Sequence, residues 1–157
     1  MQFEHLVEIN DPLNPLLDPL SREQLWRGLV MRAEAPKLFV PWLDECTLLE
    51  REEAMLRREL RYDALRIRDR VTFTPQQTVR YDVPEQGDIP QSSLVVTIEE
   101  PQPGALFVRF QYDDGKNDDD MDAFYNEFRR SAYQEADIDT IKVIRQLAGE
   151  GRLGLPM

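Results

Sequence analysis

Apolar and polar residues alternate twice between Ala54 and Thr74, around a centre at Asp63-Ala64. Leu56, Arg58, Leu60 and Tyr62 share one parity before the centre; Leu65, Ile67, Asp69, Val71 and Phe73 share one after it. The intervening positions hold Arg57, Glu59, Arg61, Arg66, Arg68, Arg70 and Thr72. Period two with one apolar face predicts half-buried strands, and the reflection predicts an antiparallel hairpin. An even-length turn sets Leu60 against Ile67, Leu56 against Val71 and Arg58 against Asp69. Asp63-Ala64 lacks the Gly that a two-residue turn favours, and an odd-length turn would part the two charges. Arg58 and Asp69 lie on a face that is otherwise apolar. They read either as a structural ion pair at the mouth of the core or as the polar anchor of an apolar-walled pocket.

The same alternation predicts a first strand through Phe3, His5, Val7 and Ile9, ended by Asn10-Asp11-Pro12. Ser21 with Gln24 forms a capping box, and Leu25, Trp26, Leu29 and Val30 follow at helical spacing. Pro36 opens a second short helical piece, Lys37 to Val40, which Pro41 stops. Strands are expected at Leu43 to Glu50, through Val79, Tyr81 and Val83, at Leu94 to Glu99, and through Leu106, Val108, Phe110 and Tyr112. Short turns between them make one antiparallel meander. A long helix then runs from about Asp120 to Ala148, broken by Gly149 and Gly151. Its first half carries Met121, Phe124, Tyr125, Phe128 and Ala132 on one face; Ile138, Ile141 and Ile144 form a second apolar side. Strands in one run with the main helix last give an α+β class.

Composition narrows the function. A chain of 157 residues with 41% apolar and 31% charged residues suits one globular domain over residues 1–157. Nineteen basic against thirty acidic residues, a net charge of −11, argue against a nucleic-acid partner. The arginines of the hairpin's other parity read as a solvated sheet face. No apolar run approaches the roughly 20 residues of a membrane span, so no membrane partner and a cytoplasmic location are expected. Cys46 and His5 are the single Cys and His, so no disulfide and no metal or other cofactor is expected. Asp113 to Asp120 is acidic but out of register with an EF-hand loop. It reads as a solvated loop whose last carboxylates cap the helix.

Phe3-Glu4-His5-Leu6-Val7 with Asn10-Asp11-Pro12, Arg57-Arg58-Glu59-Leu60, Arg68-Asp69-Arg70-Val71, Ser131-Ala132-Tyr133 and Glu135-Ala136-Asp137-Ile138-Asp139 resemble the AtaL subfamily. That subfamily has a member associated with a fungal secondary-metabolite cluster. The element order resembles the START-like (SRPBCC) helix-grip superfamily, which includes the birch pollen allergen and the aromatic polyketide cyclases. The resemblance implies a seven-stranded antiparallel sheet wrapped around the long helix, with two short helices between strands one and two. It also implies a cavity between sheet and helix, and a strand order that puts the first two strands at opposite edges. Cys46 and His5 are then too far apart to act as nucleophile and base, and His5 reads as a satisfied core or rim residue.

The residues expected to furnish the cavity are Arg58, Asp69, Tyr81 and Tyr62 from the sheet, with Phe124, Tyr125 and Phe128 from the helix. The first functional reading is binding of a small hydrophobic or aromatic molecule, polyketide-like or lipid-like. Arg58 would orient a carboxylate, enolate or phenolate oxygen, and Asp69 would hold the guanidinium. The second is a cyclase or dehydratase in which Asp69 is the general base, although a carboxylate paired with Arg is a weak one. There Arg58 would stabilise the enolate, and Tyr81 is the alternative proton donor. The third is an interaction module, with Ile141 on the helix's second apolar side holding a homodimer or partner.

Overall fold

A computed structural model of the protein describes residues 1–115 and 123–153. Its elements run β1 (Gln2–Glu8), α1 (Arg22–Glu34), β2 (Glu45–Glu52), β3 (Met55–Tyr62), β4 (Leu65–Thr74), β5 (Thr78–Val83), β6 (Ser92–Gln102), β7 (Ala105–Asp113) and α2 (Ala123–Gly149). The strands form one seven-stranded sheet in the order β1-β7-β6-β5-β4-β3-β2, every neighbouring pair antiparallel. This is the helix-grip α+β arrangement, with β1 and β2 at opposite edges. Among the described residues no helix is long and apolar enough to cross a membrane.

The β3–β4 hairpin has the register that its alternation dictates: Leu60 faces Ile67, Leu56 faces Val71 and Arg58 faces Asp69. Asp63 supplies the turn with a φ of 55°. Short polar side chains enter that left-handed region more readily than most, so the turn forms without Gly.

Ser21 caps α1 reciprocally: its hydroxyl accepts from the Gln24 amide at 3.0 Å, and its own amide donates to Gln24 Oε1 at 2.9 Å. The second helical piece is smaller than expected, a single 3-10 turn at Pro36–Leu38. Pro36 and Pro41 bracket too few donors for an α-helix to propagate between them. β2 starts two residues later than its pattern suggests and shifts register between Leu48 and Glu50. The far end of α2 closes as a Schellman motif. Arg152 N–H donates to Leu147 O, Gly151 N–H donates to Ala148 O, and Gly151 takes a φ of 68°. The carboxylates expected to cap its start, with Met121, lie outside the described residues.

One core joins the sheet to both helices. Leu25, Leu29, Leu56, Val71, Val79, Val96, Val108, Phe110 and Ile144 are almost wholly buried. Each such side chain stabilises the fold by about 1.5–3 kcal/mol. Gly28 brings α1 against α2: a Cβ there would sit 2.6 Å from Ile144 Cγ2. This contact belongs to the C-terminal half of α2. The N-terminal half meets the sheet with different residues, and there a cavity opens.

Candidate functional site

The cavity has a volume of about 390 Å³. Its floor is the inner face of the sheet, with Leu60, Tyr62, Tyr81, Val83, Leu94 and Tyr112. Arg32 from the last turn of α1, Pro36, Phe39 and Val40 form a second wall, and Arg129 and Tyr133 of α2 form a third. The period-two pattern of the strands explains the floor, since each of these sheet residues lies on the parity that faces the helices. A mainly apolar lining with a few polar groups is the usual character of a small-molecule site.

Arg58 is 4% exposed and engaged through all three of its nitrogens. Nε donates to Asp69 Oδ1 at 2.9 Å, Nη2 to Asp69 Oδ2 at 2.5 Å, and Nη1 to Ala33 O at 2.8 Å. Burial opposes the guanidinium charge, but the hydrogen bonds and charge of Asp69 outweigh it and raise the Arg58 pKa. The pair therefore ties β3 to β4 and both to the C-terminal end of α1. Arg58 touches the cavity, whereas Asp69 lies behind it and does not line it. With each oxygen held by the guanidinium, Asp69 is not placed to take a proton from a bound molecule. That corrects the expectation of Asp69 as a cavity-lining base.

Tyr81 is placed as the sequence suggests, and its surroundings add a residue that the sequence reading missed. The Arg32 and Arg58 guanidinium carbons lie 5.0 and 5.2 Å from its ring centroid, within cation–π range. Arg32 acts on the Tyr81 hydroxyl at short range, which raises the Arg32 pKa against the effect of burial, and the buried hydroxyl makes no hydrogen bond of regular geometry. Arg32 forms no ion pair with another described residue. Its signal in the sequence is positional: it continues the buried stripe Leu25, Leu29 at the step where an apolar residue is due. Tyr62 also lines the cavity, its pKa raised by burial.

The helix contributes different residues from those expected. Phe124, Tyr125 and Phe128 are 89%, 61% and 68% exposed and face away from the cavity. The inner face carries Asn126, Arg129, Tyr133 and Asp137 instead, then Thr140, Ile141, Ile144 and Leu147. A helix is a rigid rod of fixed period, so the packing of Ile141, Ile144 and Leu147 in the core sets the rotation of the whole element. Counting back at 3.6 residues per turn turns the aromatics outward. The same packing corrects the interaction reading, because Ile141 and Ile144 are core residues, not a free apolar side. Ile138 is the one of the three that stays outside, at 46% exposure.

Asp137 is fully buried and joins α2 to the sheet edge. The Tyr112 hydroxyl donates to its oxygens at 2.7 and 2.8 Å, and His5 Nε2 lies 2.6 Å from Oδ2. Burial raises the Asp137 carboxyl above its usual range, against the pull of Tyr112 and His5. Burial and the Asp137 charge also push the Tyr112 phenol far upward, so Tyr112 stays a donor. His5 is thus the satisfied rim residue expected of it. Tyr112 stacks on Tyr133 with centroids 4.1 Å apart, and the Tyr133 hydroxyl accepts from Arg129, which also pairs with Asp114. Cys46 is free, across the sheet from His5, with its pKa raised by burial. Among the described residues no three metal-ligating side chains converge.

Residues 7–151 match the family model described as AtaL, acetylaranotin biosynthesis cluster protein L. No curated protein sequence matches the chain. Among solved structures it is similar to a START superfamily protein from Mycobacterium smegmatis, with a TM-score of 0.64 and 13% identity over 93% of this chain and 98% of that one. It is similar also to the ZhuI aromatase/cyclase from a Streptomyces species, with a TM-score of 0.59 and 13% identity over 92% and 90% of the two chains. Ara h 8.0201 aligns with a TM-score of 0.59 and 11% identity over 93% and 98%. At such identities the likeness is one of fold.

Proposed function

The chain belongs to the AtaL family, within the START-like helix-grip proteins, and from that premise we propose that it binds a small apolar or aromatic molecule between sheet and helix. The observation that carries this reading is the cavity itself. About 390 Å³ stays open where the inner stripe of α2 changes from isoleucine to Tyr133 and Arg129. Apolar walls supply affinity at about 25 cal/mol for each Å² taken out of water. A polyketide-like or lipid-like metabolite fits that chemistry.

A neutral aromatic dye, N-phenylnaphthylamine, tests the reading, because its fluorescence rises in a dry site. The expected result is saturable binding of one dye per chain. Leu94→Trp, which fills the cavity from the β6 side, should abolish it while the melting temperature is kept. Absence of binding to the native protein, or equal binding to the filled variant, would sink the proposal.

A second reading, a cyclase- or dehydratase-type enzyme, is favoured by one feature, the buried Tyr81 hydroxyl without a partner. In that case Tyr81 replaces Asp69 as the group that exchanges a proton with the substrate. Tyr81→Phe would then remove turnover and leave dye binding intact.

A further inference from the structure

Building on the binding reading above, we infer that the molecule taken up is an acid, whose anionic oxygen lies between the Arg32 guanidinium and the Tyr81 hydroxyl. Two neighbouring groups point there. Tyr81 lines the cavity and is 7% exposed, and its buried hydroxyl has no hydrogen-bond partner. Buried hydroxyls are nearly always paired, and an unpaired one calls for an explanation. Arg32, on the adjoining wall, is partly buried and brings a charge with no carboxylate bound to it, and a desolvated charge is costly unless something compensates. One oxygen anion in the cavity would answer both.

The surrounding charges favour the same conclusion. Arg58 is the weaker anchor, since its charge is matched by Asp69 and three of its five N–H donors go to Asp69 and Ala33. Arg129 is paired with Asp114. Asp137 is close enough to act on Arg32 electrostatically, but its oxygens are bonded to Tyr112 and His5. Arg32 is therefore left over as a cation facing an apolar chamber, in a chain whose net charge is −11. Low-dielectric walls concentrate the field of such a charge and select ligands by sign. A planar guanidinium beside a hydroxyl suits a carboxylate, an enolate or a phenolate, the remainder of the molecule lying on Leu60, Leu94 and Phe39.

Two dyes that share an aromatic skeleton make the test: neutral N-phenylnaphthylamine and anionic anilinonaphthalenesulfonate. The native protein should bind the anionic dye at least about tenfold more tightly, as expected for hydrogen bonds to a charged group. Each dye should displace the other. Arg32→Met should erase that preference by weakening the anionic dye far more than the neutral one; Tyr81→Phe should reduce the preference by less. Arg32→Gln provides a second neutral substitution should the methionine variant melt early. Equal affinity of the native protein for both dyes, binding without mutual displacement, or equal loss of both dyes in the Arg32 variants would each overturn the inference while the cavity reading stands. Failure of the neutral dye to bind the native protein would instead overturn that underlying reading.

Discussion

The two halves of α2 face the same sheet and do opposite work. Beyond Asp137 the inner stripe is Thr140, Ile141, Ile144 and Leu147, packed into the core against α1 and the strands. Before it the inner stripe is Asn126, Arg129 and Tyr133, and a chamber opens in place of a core. Aromatics are not missing from this half; they stand on the outside as Phe124, Tyr125 and Phe128. Asp137 marks the boundary, bonded to both His5 and Tyr112. One rigid element thus divides the molecule into a part where packing is complete and a part where it is withheld. The cavity lies where that change occurs.

The packed half should show the largest effects. Ile144→Ala removes a fully buried side chain at the α1–α2 contact and should destabilise by about 2–5 kcal/mol in urea unfolding. Gly28→Ala should cost about 1–3 kcal/mol, because its new methyl would overlap Ile144. The two together should cost less than their sum, since the shortened residue 144 makes room for the methyl. Strict additivity would mean that close approach of the helices is not the reason for Gly28. Both single variants should still bind the neutral dye once folded, for neither residue lines the cavity.

The boundary should reveal itself through pH. The Asp137 carboxyl is raised from 3.8 by burial, so the native state holds its proton more tightly than the unfolded chain does. The sign follows: the contribution of this group is fully present below 3.8 and is lost as pH rises through the higher native value. Relative to Asp137→Asn, which cannot titrate, the native protein should therefore be favoured most in acid and lose that advantage with rising pH. Urea unfolding of both proteins across this range measures the difference. An advantage that grows with pH would mean that the ionised carboxylate, held by His5 and Tyr112, is the favoured form.

How far the sequence discloses this division depends on the range of each signal. The hairpin is legible because its information is local: parity plus a reflection centre places Arg58 opposite Asp69, and the turn at Asp63 obeys. The order from β2 to β7 follows from short connections between consecutive strands, whereas the place of β1 beside β7 follows only from the family resemblance. The inner face of α2 is not local. Two apolar stripes, one with Phe128 and one with Ile144, compete for the sheet, and large aromatics are the natural choice when apolar residues are assumed to lie inside. The choice is made instead by the fit of Ile144 against Gly28, a contact between helices more than a hundred residues apart in sequence. Arg32 is a middle case. It interrupts an apolar stripe at the right spacing, yet only the Tyr81 ring beside it makes that interruption a feature of the cavity.

The smallest expected effect is the one that most directly tests the rotation of α2. Phe128→Ser exchanges a side chain that is 68% exposed. Stability should change by no more than about 0.5 kcal/mol, as for surface positions without special contacts, and affinity for the neutral dye should not change at all. Phe124 and Phe128 lie well round the helix from Asn126 and Tyr133, so the two sets cannot face the chamber at once. A large loss of dye affinity in Phe128→Ser, with the melting temperature intact, would mean that the helix turns its aromatics inward around a ligand. In that event Arg129 and Tyr133 would leave the wall, and the contrast between the two halves of α2 would describe the empty protein alone.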